Sequence, residues 1–240
     1  MLHQVVISQN SKPYPDYNHK NHFVENKGQI VDQYGKLNDD VLYLLNTSGL
    51  NVHLRKDGFS YDTYEIKQKE NCKEDSIALT KGQRNFKQKS CSEYVFHRVD
   101  FTFMNSNPNT KIELKNPSRE YYNYYNIPHK KDGVIYVKQY KYLLYKNIYP
   151  NIDVEFFVPD SNIKPVEYNF ILHEGADVSD IKIKVEGANT KEESGNIEID
   201  LIHGKLREVI PKSWIQNETS KLEKTFKFIK IENRLYGFSG

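Results

Sequence analysis

Apolar and polar residues alternate along much of the chain from Phe23 onward. The alternation is clearest in five segments: 99–103, 152–158, 166–172, 181–185 and 197–201. Because successive side chains of a β-strand point to opposite faces, each segment predicts a strand with one buried and one solvated face. No stretch of ten residues or more shows the periodicity of an amphipathic helix.

Turn signals separate these segments. They are Asp57-Gly58, Asp132-Gly133, Ser194-Gly195-Asn196 and His203-Gly204. The last of these predicts a hairpin that joins 197–202 to 206–210. Short strands about ten residues apart are typical of antiparallel sandwiches and barrels. We therefore predict an all-β fold of the antiparallel β-sandwich type, built as one unit or as two packed β lobes.

The chain divides into three predicted parts. Residues 1–20 are briefly apolar and then polar, which predicts a flexible leader or signal-peptide remnant; a frayed end or a first strand is the open alternative. Residues 21–126 form the first predicted β lobe, and residues 127–240 form the second. The segment 67–91 carries seven basic and three acidic side chains, and it predicts a surface excursion from the first lobe.

Composition supports the β prediction and excludes two classes of partner. The 240 residues include three Ala, 20 Ile and 16 Val, and β-branched residues favour strands over helices. The net charge is +2 and only six of the 34 cations are Arg, which argues against a nucleic-acid-binding face. No apolar run approaches the length of about 20 residues that a membrane-spanning helix needs.

The sequence shows no recognisable catalytic or metal motif. The eight histidines are scattered, and neither a Gly-x-Ser-x-Gly elbow nor a Gly-rich phosphate loop is present. Cys72 and Cys91 flank the basic excursion without zinc-site spacing, so a disulfide and two free thiols both remain open; export would favour the disulfide. We predict no metal, no cofactor and no enzymatic activity.

Two carboxylate pairs were tested as glycosidase-like sites. Asp153 with Glu155, and Glu198 with Asp200, each lie on one strand face about 7 Å apart by strand rise. Glycosidases use two carboxyl groups at comparable separations. Both pairs alternate with an apolar stripe, so we expect them on solvated strand faces.

Tyrosines are concentrated at one place in the sequence. Tyr121, Tyr122, Tyr124 and Tyr125 occupy four of five consecutive positions. A tyrosine ring is apolar and its hydroxyl is polar, which suits stacking on a sugar or contact with a protein. These four residues are the candidate ligand contacts, and packing at sheet edges is the alternative.

Several motifs resemble an N-terminal module of unknown function in large secreted bacterial proteins. They are Phe-Val-Glu-Asn-Lys-Gly-Gln at 23–29, Val-His-Leu-Arg-Lys-Asp-Gly-Phe-Ser-Tyr at 52–61, His-Arg-Val-Asp-Phe-Thr-Phe at 97–103, Tyr-Pro-Asn-Ile-Asp at 149–153, Val-Glu-Tyr-Asn-Phe at 166–170 and Glu-Gly-Ala-Asp at 174–177. In the motif at 149–153, Asn151 stands where the family usually has Gly. We expect Asn to tolerate a left-handed turn there.

The resemblance implies a setting. Such modules lie at the N-terminus of Bacteroidetes proteins with SBBP β-propeller repeats or gliding-motility-associated C-terminal sorting domains. The resemblance therefore implies a secreted or cell-surface location, with downstream domains as partners. Similar modules continue past Gly240 with a further strand, which suggests a truncated second lobe. No catalytic residues of the family are known to carry over.

Three functional hypotheses follow. The first is a non-enzymatic structural or adhesive module of an exported bacterial cell-surface protein, in contact with a glycan or a surface protein. The alternative is a carbohydrate-binding module that uses the surface tyrosines. The third is a polysaccharide-acting enzyme.

Overall fold

The chain folds into antiparallel β-strands. A computed structural model describes residues 2–9, 21–68, 92–125, 127–160, 164–210, 213–216 and 221–240. The strands up to residue 126 are Leu2–Gln9 (β1), Phe23–Glu25 (β2), Tyr43–Thr47 (β3), Leu50–Arg55 (β4), Gly58–Gln68 (β5), Ser92–Phe103 (β6), Lys111–Pro117 (β7) and Tyr122–Tyr124 (β8).

The strands after residue 126 follow the same pattern. They are Val134–Val137 (β9), Gln139–Tyr149 (β10), Ile152–Phe157 (β11), Glu167–Leu172 (β12), Ile183–Glu186 (β13), Asn189–Glu193 (β14), Asn196–Leu201 (β15), Gly204–Val209 (β16), Ser213–Gln216 (β17), Lys221–Lys224 (β18), Lys227–Glu232 (β19) and Leu235–Ser239 (β20). Within the described ranges, the one helical element is a single 3-10 turn at Val178–Asp180.

Two runs of hydrogen-bonded strands form the body of the fold. The first run has the order β7-β10-β11-β12-β1-β17-β18. The second has the order β2-β3-β4-β5-β6-β13-β20-β19. β10 joins them, since Gln139 also pairs with Val24 of β2. Strands β14, β15 and β16 continue from the end of β1, and β8 and β9 form a separate hairpin.

Aromatic side chains fill the space between the two runs. Phe59 of β5 is fully buried, and its ring lies 4.5 Å from that of Phe101 on the same run. Across the interior, Phe59 meets Phe156 of β11 at 5.4 Å and Tyr168 of β12 at 5.0 Å, measured between ring centroids. Such tilted and edge-on contacts are favoured between aromatic rings. The all-β sandwich prediction is confirmed.

The main hydrophobic core includes side chains from both predicted lobes. It runs from Phe23 to Phe238 and contains residues of both 21–126 and 127–240. The lobe boundary at 126/127 remains a prediction.

Each of the five alternating segments contains a strand, as predicted: β6, β11, β12, β13 and β15. β13 begins at Ile183, so Ile181 and Lys182 of the predicted segment lie before the strand. The hairpin at His203-Gly204 is confirmed by the pairing of Leu201 with Gly204. Asn151 adopts φ +57°, the left-handed conformation expected of it. At the N-terminus, Leu2–Gln9 form a strand that pairs with β12, which agrees with the first-strand alternative; residues 10–20 lie outside the described ranges.

Candidate functional site

The β8–β9 hairpin presents a group of exposed aromatic and aliphatic side chains. Tyr121, Tyr122 and Tyr125 are exposed on its first side, and Ile135 and Tyr136 are exposed on its second. We call these five exposed side chains of the hairpin region the tyrosine platform, and its centre is the ring pair of Tyr121 and Tyr136. The rings of Tyr121 and Tyr136 lie against each other, with centroids 4.9 Å apart and planes tilted by 42°. Exposed apolar surface rimmed by polar groups is typical of interaction sites.

A β-bulge sets the position of Tyr136. Tyr122 pairs with Val137 and Tyr124 with Val134, so β9 carries one more residue than β8 between the two pairs. Tyr136 adopts φ +53°, a left-handed conformation that costs a non-glycine residue about 1–2 kcal/mol. The Asn123 side-chain oxygen accepts a hydrogen bond from the Tyr136 amide at 2.9 Å and holds this conformation. Bulges commonly redirect a side chain in this way.

Tyr124 is the half-buried member of the predicted tyrosine cluster. It packs against a small second core formed by Val24, Val134 and Val137, and burial raises the pKa of its hydroxyl. Tyr122 remains near it, at 6.1 Å between ring centroids. Of the four tyrosines predicted as ligand contacts, three therefore belong to the platform and Tyr124 anchors it.

The loop that follows β2 clamps this hairpin. Lys27 Nζ donates to the backbone oxygen of Ile135 at 3.0 Å, on the bulged strand itself. In the opposite direction, His129 Nε2 donates to the backbone oxygen of Gly28 at 2.9 Å. Glu25 Oε1 accepts from the amide of Lys138, directly after β9, at 2.7 Å. The loop thus holds the hairpin at its strand and at its turn.

Two amides give the clamping loop its shape. Asn26 Nδ2 donates to the backbone oxygens of Asn38 and Val41, and Asn26 Oδ1 accepts from the amide of Gly28. Gln29 Nε2 donates to the backbone oxygen of Glu25 at 2.6 Å. Gly28 adopts φ +91°, where a side chain would be strained. The Glu, Asn, Gly and Gln of the motif at 23–29 therefore all serve this clamp.

The comparisons with known proteins identify a family. A family model described as "Domain of unknown function (DUF7948)" matches residues 23–240. The chain belongs to this family. No curated protein and no solved structure matches it. The DUF7948 domain begins at β2, so the clamp motif is its first element and β1 lies before it.

One of the predicted carboxylates of the DUF7948 domain, Asp153, is not where we expected it. Asp153 was predicted on a solvated face, but it is only 1% exposed. Its carboxylate accepts from Lys146 Nζ, from the Asn147 amide at 2.7 Å and from His173 Nε2 at 2.8 Å. Burial favours the neutral acid, but these three donors outweigh it and lower the pKa of Asp153. The cluster ties the β10–β11 turn to the end of β12.

The other predicted carboxylates form no acid pair. Burial raises the pKa of Glu155, while its hydrogen bond to Asn169 and the charge of Lys115 oppose that rise. Glu198 forms ion pairs with Lys191 and Lys205, and Asp200 is exposed as predicted.

A polar network covers the outer face of β4, β5 and β6. Arg98 donates to both carboxylate oxygens of Asp62, at 2.6 and 2.8 Å. Arg98 Nη2 also lies 2.7 Å from His53 Nδ1, which must therefore accept the hydrogen bond. Burial lowers the pKa of His53, and although Asp62 opposes this, the charge of Arg98 lowers it further. The arrangement is a cross-strand tie that joins His53 of β4, Asp62 of β5 and Arg98 of β6.

The remaining sequence predictions concern cysteines, metals and membranes. Cys72 and Cys91 lie outside the described residues. In the part of the chain that the structure describes, no three His, Cys, Asp or Glu side chains are arranged to hold a metal ion. The same part contains no helix with the length and apolar character to cross a bilayer.

Sequence reasoning missed the second half of the tyrosine platform. Ile135 and Tyr136 lie ten or more residues beyond the Tyr121–Tyr125 cluster, and only the hairpin brings them together. The Asp132-Gly133 turn signal indicated this hairpin. Gly133 has φ +73°, and a Cβ there would lie 2.4 Å from the Tyr124 backbone oxygen.

Proposed function

We propose that the DUF7948 domain is a non-enzymatic adhesive module of an exported bacterial cell-surface protein, and that the tyrosine platform is its ligand contact. The observation that carries the proposal is the exposed Tyr121–Tyr136 ring pair, held by a strained bulge and by the clamp. Backbone strain tends to be retained where it serves a site. The resemblance to modules of secreted proteins supports the exported setting.

The second and more specific proposal is that the platform binds a carbohydrate. Tyrosine rings stack on the apolar faces of sugars, and their hydroxyls hydrogen-bond the sugar hydroxyls. Asn123 and Glu120 are exposed polar neighbours at the same hairpin. A surface protein in contact with the same rings is the competing ligand.

The platform can be tested by direct binding. The purified 240-residue chain would be applied to a glycan array and to immobilised cell-surface extracts, alongside the double variant Tyr121→Ala/Tyr136→Ala. We expect the double variant to lose at least about tenfold in affinity, since aromatic contacts dominate such interfaces. The matched control is Tyr34→Ala, a tyrosine that is 86% exposed outside the hairpin.

The outcomes separate the candidates. Retention on glycans that depends on Tyr121 and Tyr136 supports the carbohydrate assignment, and retention on protein extracts alone supports protein adhesion. Binding that survives the double variant removes the platform as the contact. Immunoblots of fractionated cells test the setting, because a band confined to the cytosol contradicts export.

A further inference from the structure

The strands β5 and β6 extend beyond the rest of their sheet as a two-stranded ribbon. β4 pairs with β5 only between Gly58 and Thr63, and β13 pairs with β6 only from Asp100 to Phe103. Gly49 lies opposite Tyr64, and in the described parts of the chain no strand covers the outer edge of β5 from Glu65 to Gln68. An open edge of this kind offers backbone groups to another strand.

The backbone of the open segment points outward at alternate residues. The Tyr64 amide donates to the backbone oxygen of Gly49 at 2.9 Å, on the side away from β6. Backbone groups of every second residue in a strand point to the same side. The N–H and C=O groups of Ile66 and Gln68 therefore also point away from β6, and among the described residues they have no strand partner on that side.

We propose that this edge binds the same edge of a second copy of the chain, antiparallel and centred on Ile66. In that register Ile66 meets Ile66 of the second copy and exchanges two backbone hydrogen bonds with it. Glu65 of each copy then lies opposite Lys67 of the other. Opposite charges directly across two strands stabilise the pairing.

The charges select this register and this edge. Pairing centred on Glu65 or on Lys67 would place like charges opposite each other, which is unfavourable. The outer edge of β6 has Glu93 and Val95 around Tyr94, so it lacks this complementarity. Within one chain, Glu65 and Lys67 form an ion pair of 2.8 Å, and both side chains are partly exposed. Replacing this pair by pairs between the two copies therefore removes little water from the charged groups.

The apolar face of the ribbon fits the same assembly. Ile66 is 59% exposed, and the exposed rings of Tyr94 and Phe96 lie 5.6 and 5.3 Å from that of Tyr64. A twofold axis through the Ile66 pair runs perpendicular to the sheet, because the two edges are antiparallel and equivalent. Both aromatic faces then lie on one side and form a continuous apolar surface.

Sedimentation equilibrium of the full 240-residue chain tests the proposal. We expect a reversible dimer of the 28.3 kDa chain, and we expect Lys67→Glu to raise its dissociation constant about tenfold or more. The double variant Glu65→Lys/Lys67→Glu restores opposite charges and should restore the dimer. Glu93 faces position 67 within the ribbon in both variants, so its repulsion of the introduced carboxylate is shared. The ion pair between positions 65 and 67 of one chain is lost in the single variant and restored in the double variant, so the cross-link below separates the contact between copies from this local change. Lys111→Glu on edge strand β7 is the matched control.

A cross-link gives a second, independent measurement. In a chain with Cys72→Ser and Cys91→Ser, Ile66→Cys should form a disulfide-linked dimer on mild oxidation, since paired Cα atoms about 5.5 Å apart suit a disulfide. Ile229→Cys, a half-exposed position on β19, should not. A monomer at all concentrations, or a dimer indifferent to Lys67→Glu and not linked through position 66, overturns the proposal.

Discussion

At the scale of single residues, the buried carboxylate of Asp153 is expected to stabilise the fold through its three donors. Its replacement by Asn leaves Lys146 and His173, whose side chains are 33% and 36% exposed, facing a buried neutral amide. Because both of these partners reach water, the cost lies below the roughly 3–5 kcal/mol of breaking a fully buried ion pair. We expect Asp153→Asn to lower the free energy of unfolding by about 2 kcal/mol in urea titrations at pH 7.

The matched control is Asp160→Asn. Asp160 also pairs with a lysine, Lys141, but its side chain is mostly exposed, and exposed pairs contribute only about 0–1 kcal/mol. The pH dependence gives a further check. Because the pKa of Asp153 is lowered, its stabilisation is complete above the ordinary value of 3.8 and is lost as the pH falls below it. Equal losses in both variants would contradict the assigned role.

The lowered pKa of His53 predicts a second pH dependence of the unfolding free energy, nearer to neutral pH. Its pKa is lowered from 6.5, so the unfolded chain binds a proton before the folded chain does. Its contribution to stability is therefore complete above pH 6.5 and declines as the pH falls below that value. We expect His53→Gln to flatten the slope of unfolding free energy between pH 7 and pH 5. An unchanged slope in His53→Gln would contradict the tie to Arg98.

At the scale of elements, the clamp and the hairpin should loosen together. Lys27→Met keeps the aliphatic stem but removes the ammonium that bonds the Ile135 backbone oxygen. A hydrogen bond of this kind contributes about 1 kcal/mol, so amide exchange in β9 should accelerate about fivefold. Hydrogen-exchange mass spectrometry measures this, with the rest of the sandwich as an internal reference.

Lys131→Met provides the comparison for this variant. Lys131 is exposed beside the same turn, and it makes no contact with the clamp among the described residues. Exchange in β9 should stay at the wild-type rate in that variant. Equal acceleration in both variants would mean that the motif at 23–29 does not hold the hairpin.

The strands could be predicted from the sequence, whereas their partners could not. Alternation identified the segments of β6 and β13, because burial of one face leaves a period of two. It could not predict that Val185 pairs with Phe101, since pairing over such a separation depends on the whole sheet. Asp153 was misplaced for a related reason. Alternation assigns it to the outer face, but the side chains of Lys146 and His173 close over it.

The candidate site was likewise only half predictable. The density of Tyr121–Tyr125 indicated an aromatic surface without any knowledge of the fold. The position of Tyr136 depends on one extra residue in β9 and on the Asn123 side chain, neither of which leaves a periodic signal. The motif at 23–29 entered the prediction only through the family resemblance, and its contacts with the β8–β9 hairpin are visible only in the structure.

At the scale of the whole molecule, the aromatic core connects the two runs of strands. Phe59 meets two rings across the interior, Phe156 and Tyr168, from the part of the chain beyond residue 127. A core shared in this way favours unfolding as a single cooperative unit. The predicted boundary at 126/127 would instead favour two steps, so unfolding experiments can distinguish the two descriptions.

Phe59→Ala should therefore destabilise both halves of the chain equally. Truncation of a buried phenylalanine costs about 3–5 kcal/mol because it leaves a cavity. Trp214, the one tryptophan, lies on β17 in the second half, far along the chain from the substitution. We expect its fluorescence and the far-ultraviolet circular dichroism to show one coincident transition in urea, and we expect Phe59→Ala to shift this transition to a lower urea concentration.

The control is Phe96→Ala, which removes an exposed ring of the ribbon. It should change the free energy of unfolding measured by either probe by no more than about 1 kcal/mol. A tryptophan transition that stays at the wild-type midpoint while the dichroism shifts would show that the second half unfolds independently, and would support two lobes.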